Sequence, residues 1–590
     1  MDKTTRFSYE PLKSSRAIRL IKFLPGRGPK CQMVTVEVEK APPYVALSYT
    51  WGSETLSREV LVDGVQIPIT VNLAEAIDAI YVFVRERSMM FWADSICINQ
   101  ADVHERGRQV RLMNTIYRSA ELVAIWLGPA ADNSDLAFDK MKEWKARFDD
   151  LKRESNGSEE LAVTNISSDD PFFFGPCGSE VQRALEALRM ICRRPWWNRA
   201  WIVQEGTIAS AMRTILFCGS RWIDWTYLRA ALQIIHHVNH YQSSGMSIDF
   251  IDGMALRLDL FRKDRESGAN IRLLQVLRHI QGYECLDPRD KLYAALGMAM
   301  DVNENDIVPD YTKSCSEVYI NIAKFFIAKS NDHSLDFLGY VWRSAPGTAF
   351  EHQHESALPS WAPDWTFPAS LHPFAKFTNS DDFGESENTY NACGSLKGYC
   401  YIDGSHLCLQ GSVVDYIVRV SIICEWNLAA RGLDTERSWI PTHPDKPYFT
   451  GESLMEAFNH TIVADIGRRD VENDCQFSRG FAIDWEFVEQ DTNKMTAQER
   501  QRRSWMLVDT KMMTFGRRLF ETTRGFIGLG PPAARIGDQV CLLLGGQVLY
   551  TLRAREDGHH DFVGECYVHG MMDGQACDDD SFSIRDIVLV

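Results

Sequence analysis

The 590-residue chain has no apolar run long enough to cross a bilayer. Its most apolar helical stretch, Val318 to Ala328, is too short and carries Asn321 and Lys324, so no membrane span is expected. No lipidation signal is visible at either end. The chain is short of basic residues. Its 63 Lys and Arg against 80 Asp and Glu leave a net charge of -17. That balance disfavours nucleic acid as a partner, because phosphate binding needs clustered Lys and Arg. The 15 cysteines are odd in number and include no CxxC pair. With no signal-peptide pattern between Met1 and Arg19, they are expected to be reduced thiols of a cytoplasmic protein. Lacking a cysteine pair, the stripe of His236, His237 and His240 does not complete a zinc site, and neither a metal nor a resident cofactor is expected. Glycine-rich phosphate loops, internal repeats and long low-complexity segments are also missing.

What is present is globular. Hydrophobic residues at 45% and charged residues at 24% argue against wholesale disorder, and the length calls for two or three domains. The chain is organised around Phe91 to Gly128. An apolar run, Met89 to Trp92, precedes a polar cluster of Asp94, Cys97, Asn99, Gln100 and Asp102. Val110, Met113, Ile116, Tyr117 and Ala120 follow at helical spacing, and Leu122 to Leu127 forms a second apolar run. Strand, polar loop, helix and strand in this order are a βαβ unit of a parallel sheet. Ligands in such sheets bind outside the carboxyl ends of the strands, where the Asp94 to Gln100 cluster lies.

On either side of this unit, residues 1–43 form an arm and a hairpin, with strands Ala17 to Phe23 and Met33 to Val38 joined by Pro25-Gly-Arg-Gly-Pro29. Residues 44–218 form an α/β domain. It has a first strand at Tyr44 to Tyr49, a hairpin through Asp63-Gly64, and a helix capped by Asn72. A polar insertion fills about 132–178, and the helix after Pro195 places Trp197, Trp201 and Glu205 on one face. Residues 219–357 are helical. Residues 358–590 are α+β, with loops and short strands over 366–435, helices over 439–516, and a meander or small barrel at 524–567.

Three blocks carry a family resemblance: Tyr44-Val-Ala-Leu-Ser-Tyr-Thr-Trp-Gly52, the Phe91 to Gly128 unit, and Arg199-Ala-Trp-Ile-Val-Gln-Glu205. They resemble the heterokaryon incompatibility (HET) domain of filamentous fungi, over roughly Tyr44 to Glu205. Asp287-Pro-Arg-Asp-Lys-Leu-Tyr293, Trp361-Ala-Pro-Asp-Trp365 and the Gly-rich stretch Gly537 to Gly574 resemble what often follows that domain. HET domains in turn resemble, distantly, the Toll/interleukin-1 receptor (TIR) family, which implies a TIR-like parallel sheet flanked by helices. In its NAD-cleaving members the catalytic Glu follows a Trp-Cys-x-x pattern. Trp201-Ile-Val-Gln-Glu205 keeps the Trp-to-Glu spacing, with Ile202 in place of Cys.

The resemblance thus implies a role in non-self recognition and regulated cell death, in the company of other incompatibility proteins. It also implies NAD as a substrate cleaved with Glu205, and activity that depends on self-association. Ser48, Tyr49, Trp51 and Gly52 would form a substrate-facing loop, Trp51 or Trp201 would offer a flat surface, and Arg106 would meet a phosphate or Glu205. Asp94, Asn99 and Gln100 sit where a ligand binds, and the amides of Asn99 and Gln100 suit a nucleotide. The same residues admit another reading, in which Glu205 is a buried partner of Arg199 or Arg106, Asn99 and Asp102 tie down their loop, and the domain is a non-enzymatic interaction module. A third reading takes Cys97 as a thiol nucleophile with His104 as its base. Arg111 and Arg118 read as solvated.

Overall fold

The computed structural model describes residues 7–590, except 26–28, 53–55, 165, 167–169, 174–177, 242–252, 330–334, 344, 346–357, 368–372, 375–389, 426–432, 469–476 and 579–581. The side chains of His237 and His240 also lie outside the described residues. The chain divides into two compact units, Met1–Thr312 and Lys313–Val590.

The first unit is built on one mixed sheet. Its strands are β1 (Ala17–Phe23), β2 (Lys30–Glu37), β3 (Tyr44–Ser48), β4 (Leu56–Val62), β5 (Val65–Thr70), β6 (Met90–Trp92), β7 (Leu122–Trp126), β8 (Thr214–Cys218) and β9 (Arg221–Asp224). The order across the sheet is β5-β4-β2-β1-β6-β3-β7-β8-β9. The expected parallel sheet is interrupted: β6, β3, β7 and β8 run parallel at the centre and β2 pairs in parallel with β4, whereas β1 pairs antiparallel with β6, and β9 with β8. The physical reason lies in burial. β3 and β8 are buried at every residue and β7 at all but its first, as strands covered on both faces must be. The flanking hairpins β1–β2 and β4–β5 need only tight turns and so run antiparallel.

Helices follow in chain order: α1 (Val71–Glu86), α2 (Asp94–Cys97), α3 (Val103–Ser119), α4 (Ser134–Glu154), α5 (Glu159–Thr164), α6 (Glu180–Cys192), α7 (Ile202–Glu205), α8 (Trp225–Tyr241), α9 (Gly253–Glu266), α10 (Leu273–Ile280) and α11 (Asp290–Leu296). Two neighbours in β6 show how they layer, because successive strand residues point to opposite faces. Phe91 stacks on Phe23, which meets Tyr81 of α1 edge-on. Trp92 meets Tyr117 of α3. Helices α1 and α3 therefore cover opposite faces, with the sheet between them. The cap of α1 is Thr70, whose hydroxyl accepts from the Leu73 amide. The expected cap, Asn72, lies inside the helix, where its side chain is engaged elsewhere: it donates to the Thr50 carbonyl and accepts from Trp126 Nε1.

The second unit has helices at Cys315–Lys329, Leu454–Thr461 and Ala497–Thr514. Its strands are β10 (Cys400–Asp403), β11 (His406–Val420), β12 (Ile466–Arg468), β13 (Phe477–Arg479), β14 (Arg518–Thr522), β15 (Ile527–Gly530), β16 (Gln539–Leu543), β17 (Leu549–Ala554), β18 (His560–Val568) and β19 (Arg585–Leu589). Strands β12 and β13 pair only with each other. The path β11-β14-β15-β18-β17-β16 returns to β11, closing an antiparallel barrel; β19 pairs with both β11 and β18. Leu409, Leu519, Leu529, Leu542 and Leu552 are buried in it. The stretch expected to hold loops and short strands contains β11, which is 15 residues long. Register shifts at Val413/Asp415 and Ile417/Arg419 bend it, so one strand serves β16 and β14 in turn. Among the described residues, no helix is long and apolar enough to cross a membrane, and the described cysteines are all free.

Candidate functional site: a buried carboxylate centre at the strand ends

Strand β3 ends on Ser48, and the polar cluster follows β6, so both arrive at the carboxyl edge of the parallel strands. The short helix α7 supplies Glu205 to the same edge. Ser48 and Glu205 are 1% and 2% exposed. The Ser48 hydroxyl donates to Glu205 Oε2 and accepts from Trp196 Nε1 at 2.7 Å. Arg199 lies across the carboxylate, with Nη1 3.3 Å from Oε2 and Nη2 3.5 Å from Oε1. Burial raises the Glu205 carboxyl above the ordinary glutamate range; the Arg199 charge and the Ser48 hydrogen bond pull it back, and Asp94 pushes it further up. Burial works against the charged Arg199, but the Glu205 and Asp94 carboxylates outweigh it and hold the guanidinium above its usual value.

Asp94 stands nearer the surface. Its Oδ2 accepts from Trp51 Nε1 at 2.8 Å, and Trp51 is 39% exposed. Gly52 turns the chain after it, at φ +73°. Tyr49 is buried, donates to Ser95 Oγ at 2.7 Å, and has its hydroxyl pushed well above the usual range by burial, with Asp94 adding to the shift. Ser48, Tyr49, Trp51, Asp94 and Glu205 are thus joined through direct bonds or shared electrostatics.

Other expected members sit elsewhere. The continuous helix from Pro195 to Glu205 does not form: a single 3₁₀ turn, Pro195–Asn198, is followed by extended backbone at Arg199. The break comes from outside the segment, because Asn198 accepts from the Glu284 amide and Ala200 donates to the Glu284 carbonyl. Trp196, not Trp197, therefore reaches Ser48, and Trp197 donates to the Ile191 carbonyl instead. Trp201 donates to Asp290 Oδ2 at 3.1 Å. Arg106 does not meet Glu205; its guanidinium lies 4.0 Å from the centre of the Tyr311 ring. Asn99 and Gln100 tie down the loop: the Asn99 amide donates to Glu105, Asn99 Oδ1 accepts from the Ala101 amide, and Gln100 donates to the Asp94 carbonyl. Asp102 caps α3 through the amides of His104 and Glu105.

Cys97 is fully buried, and burial pushes its thiol up to about 12. A thiol so raised is protonated at neutral pH, while His104 is exposed at the start of α3. That is the wrong setting for a nucleophile.

No direct signal in the sequence marks Trp196 as a member of the centre, nor Asp290 beside it. Asp290 accepts from Tyr311 at 2.6 Å and from Trp201, and burial lifts its carboxyl from 3.8 to about 6. A carboxyl raised in the folded state favours folding below its ordinary value, and this contribution is lost as pH climbs through about 6. A rise of that size corresponds to about 3 kcal/mol. Urea unfolding between pH 4 and 7 should therefore show stability falling in that window, and Asp290→Asn should flatten the slope.

With this geometry in view, a family model described as heterokaryon incompatibility protein (HET) matches residues 44–205, and one described as Het-6 beta-barrel domain matches residues 478–590. The chain carries a HET domain and a Het-6 barrel domain. Its HET segment runs from β3 to α7 and contains all the members of the Ser48–Glu205 centre. The barrel match covers β14 to β19 and leaves the closing strand β11 outside. The HET protein is also 25% identical to "Heterokaryon incompatibility protein 6, OR allele" of Neurospora crassa over 653 aligned positions, which cover 93% of this chain and 92% of the relative. No solved structure matches.

Proposed function

We propose that this HET protein acts in fungal non-self recognition and the regulated cell death that follows fusion of unlike hyphae, and that its Glu205 centre cleaves the nicotinamide glycosidic bond of NAD. The observation that carries this reading is the desolvated Glu205 carboxylate, held by Ser48 and Arg199 at the carboxyl end of β3. The four parallel strands between α1 and α3 support a TIR-like fold. Cleavage breaks the bond between the ribose carbon and the nicotinamide nitrogen. The electron pair stays with nicotinamide and neutralises its ring charge, and the ribose is left as an oxocarbenium-like cation. Glu205 stabilises that cation, water adds to the carbon, and a proton is released. Low dielectric around Glu205 strengthens this stabilisation. Trp51, exposed beside Asp94, offers a flat surface for a ring.

A second reading is favoured by one feature: Glu205 is 2% exposed and already paired with Arg199. In that reading the centre is a structural lock, and the HET segment assembles and recruits partners without chemistry. In the first reading, self-association or the substrate's own pyrophosphate draws Arg199 aside and frees the carboxylate. The deciding experiment measures NAD loss by the purified full chain at concentrations that drive assembly, with Glu205→Gln alongside. Turnover that depends on Glu205 supports the enzyme. An assembled protein without turnover assigns the interaction role.

A further inference from the structure

Gln204 precedes Glu205 in α7 and faces a separate cleft. This cleft, about 440 Å³ in volume, lies within the first unit between α3 and the segment that follows α11. Arg16, Arg108, Arg111 and Arg118 line it, against a single acidic residue, Glu304. In a chain of net charge -17, four arginines around one cleft are a local reversal of sign. Three of them come from α3, at positions that recur along one side of the helix. Arg111 is partly committed, donating to the Glu304 carbonyl at 3.0 Å, and Arg16 is paired with Glu39.

The second observation is independent of charge. Gln204 is 2% exposed, lines the cleft, and its Oε1 has no hydrogen-bond partner among the described residues. A buried amide oxygen left unpaired is costly, and it calls for a donor. Gly297 shows how closely the wall is built around this amide: a Cβ there would collide with Gln204 Nε2. The amide is held in place with its acceptor unused.

We propose that this cleft binds a small phosphorylated, hydroxyl-bearing metabolite, its phosphate met by the α3 arginines and a hydroxyl donating to Gln204 Oε1. The volume falls in the range of small-molecule sites. Guanidinium groups suit phosphate because their planar fork matches its oxygens. An occupant bonded to Gln204 bears directly on α7. The proposal does not depend on NAD cleavage, since binding is read directly.

The test is calorimetric titration of the full chain with ribose 5-phosphate, AMP and inorganic phosphate, for wild type, Arg108→Ala/Arg118→Ala and Asp94→Asn. Both arginines are exposed, so their loss leaves the fold and its melting temperature in place. The expected result is binding of ribose 5-phosphate or AMP, weakened at least about tenfold per arginine removed and unchanged by Asp94→Asn. Which of the two binds separates a sugar phosphate from a nucleotide. Inorganic phosphate binding as tightly as both overturns the hydroxyl contact and with it the proposal. So does absence of binding at millimolar concentration, or binding lost in Asp94→Asn and kept in the arginine variant, which assigns the ligand to the Glu205 centre.

Discussion

Glu205→Gln is expected to lower NAD turnover by about a hundred- to a thousand-fold, the usual cost of removing one preorganised group from a developing charge. The amide keeps the size of the carboxylate and can still accept from Ser48, so no void opens, although Arg199 loses its countercharge and the melting temperature should fall, by less than in Glu205→Ala. Glu205→Ala is the less informative change. It leaves Arg199 and Ser48 facing a void, and breaking a buried pair from one side costs about 3–5 kcal/mol, so lost activity would be confounded with lost fold. A pH profile adds a readout that a structural role would not move. In the proposed reaction the ionised carboxylate is the working form, and burial raises Glu205 above its ordinary 4.5. Turnover should therefore rise with pH along a limb above that value. The same elevation means that the centre costs stability as pH rises through the Glu205 titration, so activity and stability should change in opposite directions there. Turnover unchanged in the glutamine variant would remove Glu205 from the chemistry.

The second large effect concerns the support of the site. Arg19→Met is expected to destabilise the chain by about 3–5 kcal/mol, because it leaves the Glu105 charge buried without its partner. Arg19 and Glu105 are 1% and 2% exposed. Arg19 Nη1 donates to Glu105 Oε1 at 2.6 Å and Nη2 to Oε2 at 3.0 Å. The same guanidinium donates to the Cys97 and Glu10 carbonyls, and Glu105 also accepts from the Asn99 amide. One ion pair thus joins β1, the start of α3 and the loop that follows Asp94. Arg19→Met/Glu105→Leu should recover part of the loss, since the stranded charge is gone while the Asn99 amide and Cys97 carbonyl remain unsatisfied. Denaturant midpoints of the wild type, both single variants and the double variant form the cycle that isolates the pair. A double variant no better than Arg19→Met would refute the account.

These two cases also mark what could be seen in the sequence. The central strands were legible because full burial leaves an uninterrupted apolar run, as in Tyr44 to Leu47 and Val123 to Trp126. The position of the Asp94 to Gln100 cluster was legible because a polar burst after such a run falls at the carboxyl edge of the strands. The hairpins declared themselves through Asp63-Gly64 and Pro25-Gly-Arg-Gly-Pro29. The break at Arg199 was not legible. No proline or glycine sits there, and the chain is extended because Glu284, distant in sequence, takes its backbone bonds. Trp196 was hidden for the same reason, since a continuous helix selects Trp197. Strand β11 was obscured by Gly411 and Asp415, yet it closes the barrel by pairing with segments more than a hundred residues away. Local pattern reports local structure, and each of these departures is settled by a distant backbone partner.

The position of β1 in the sheet bears on where the HET segment of this chain can be cut. The matched HET segment begins at Tyr44, whereas β1 and β2 precede it and occupy places in the same sheet, with β1 beside β6. A fragment started at Tyr44 would bare one side of β6, an open row of amides and carbonyls that invites pairing between copies. It would also strip Glu105 of its cation. Clumping of such a fragment would then be an artefact of excision rather than a biological signal, and a hybrid joined at that residue would inherit a sheet missing its neighbour.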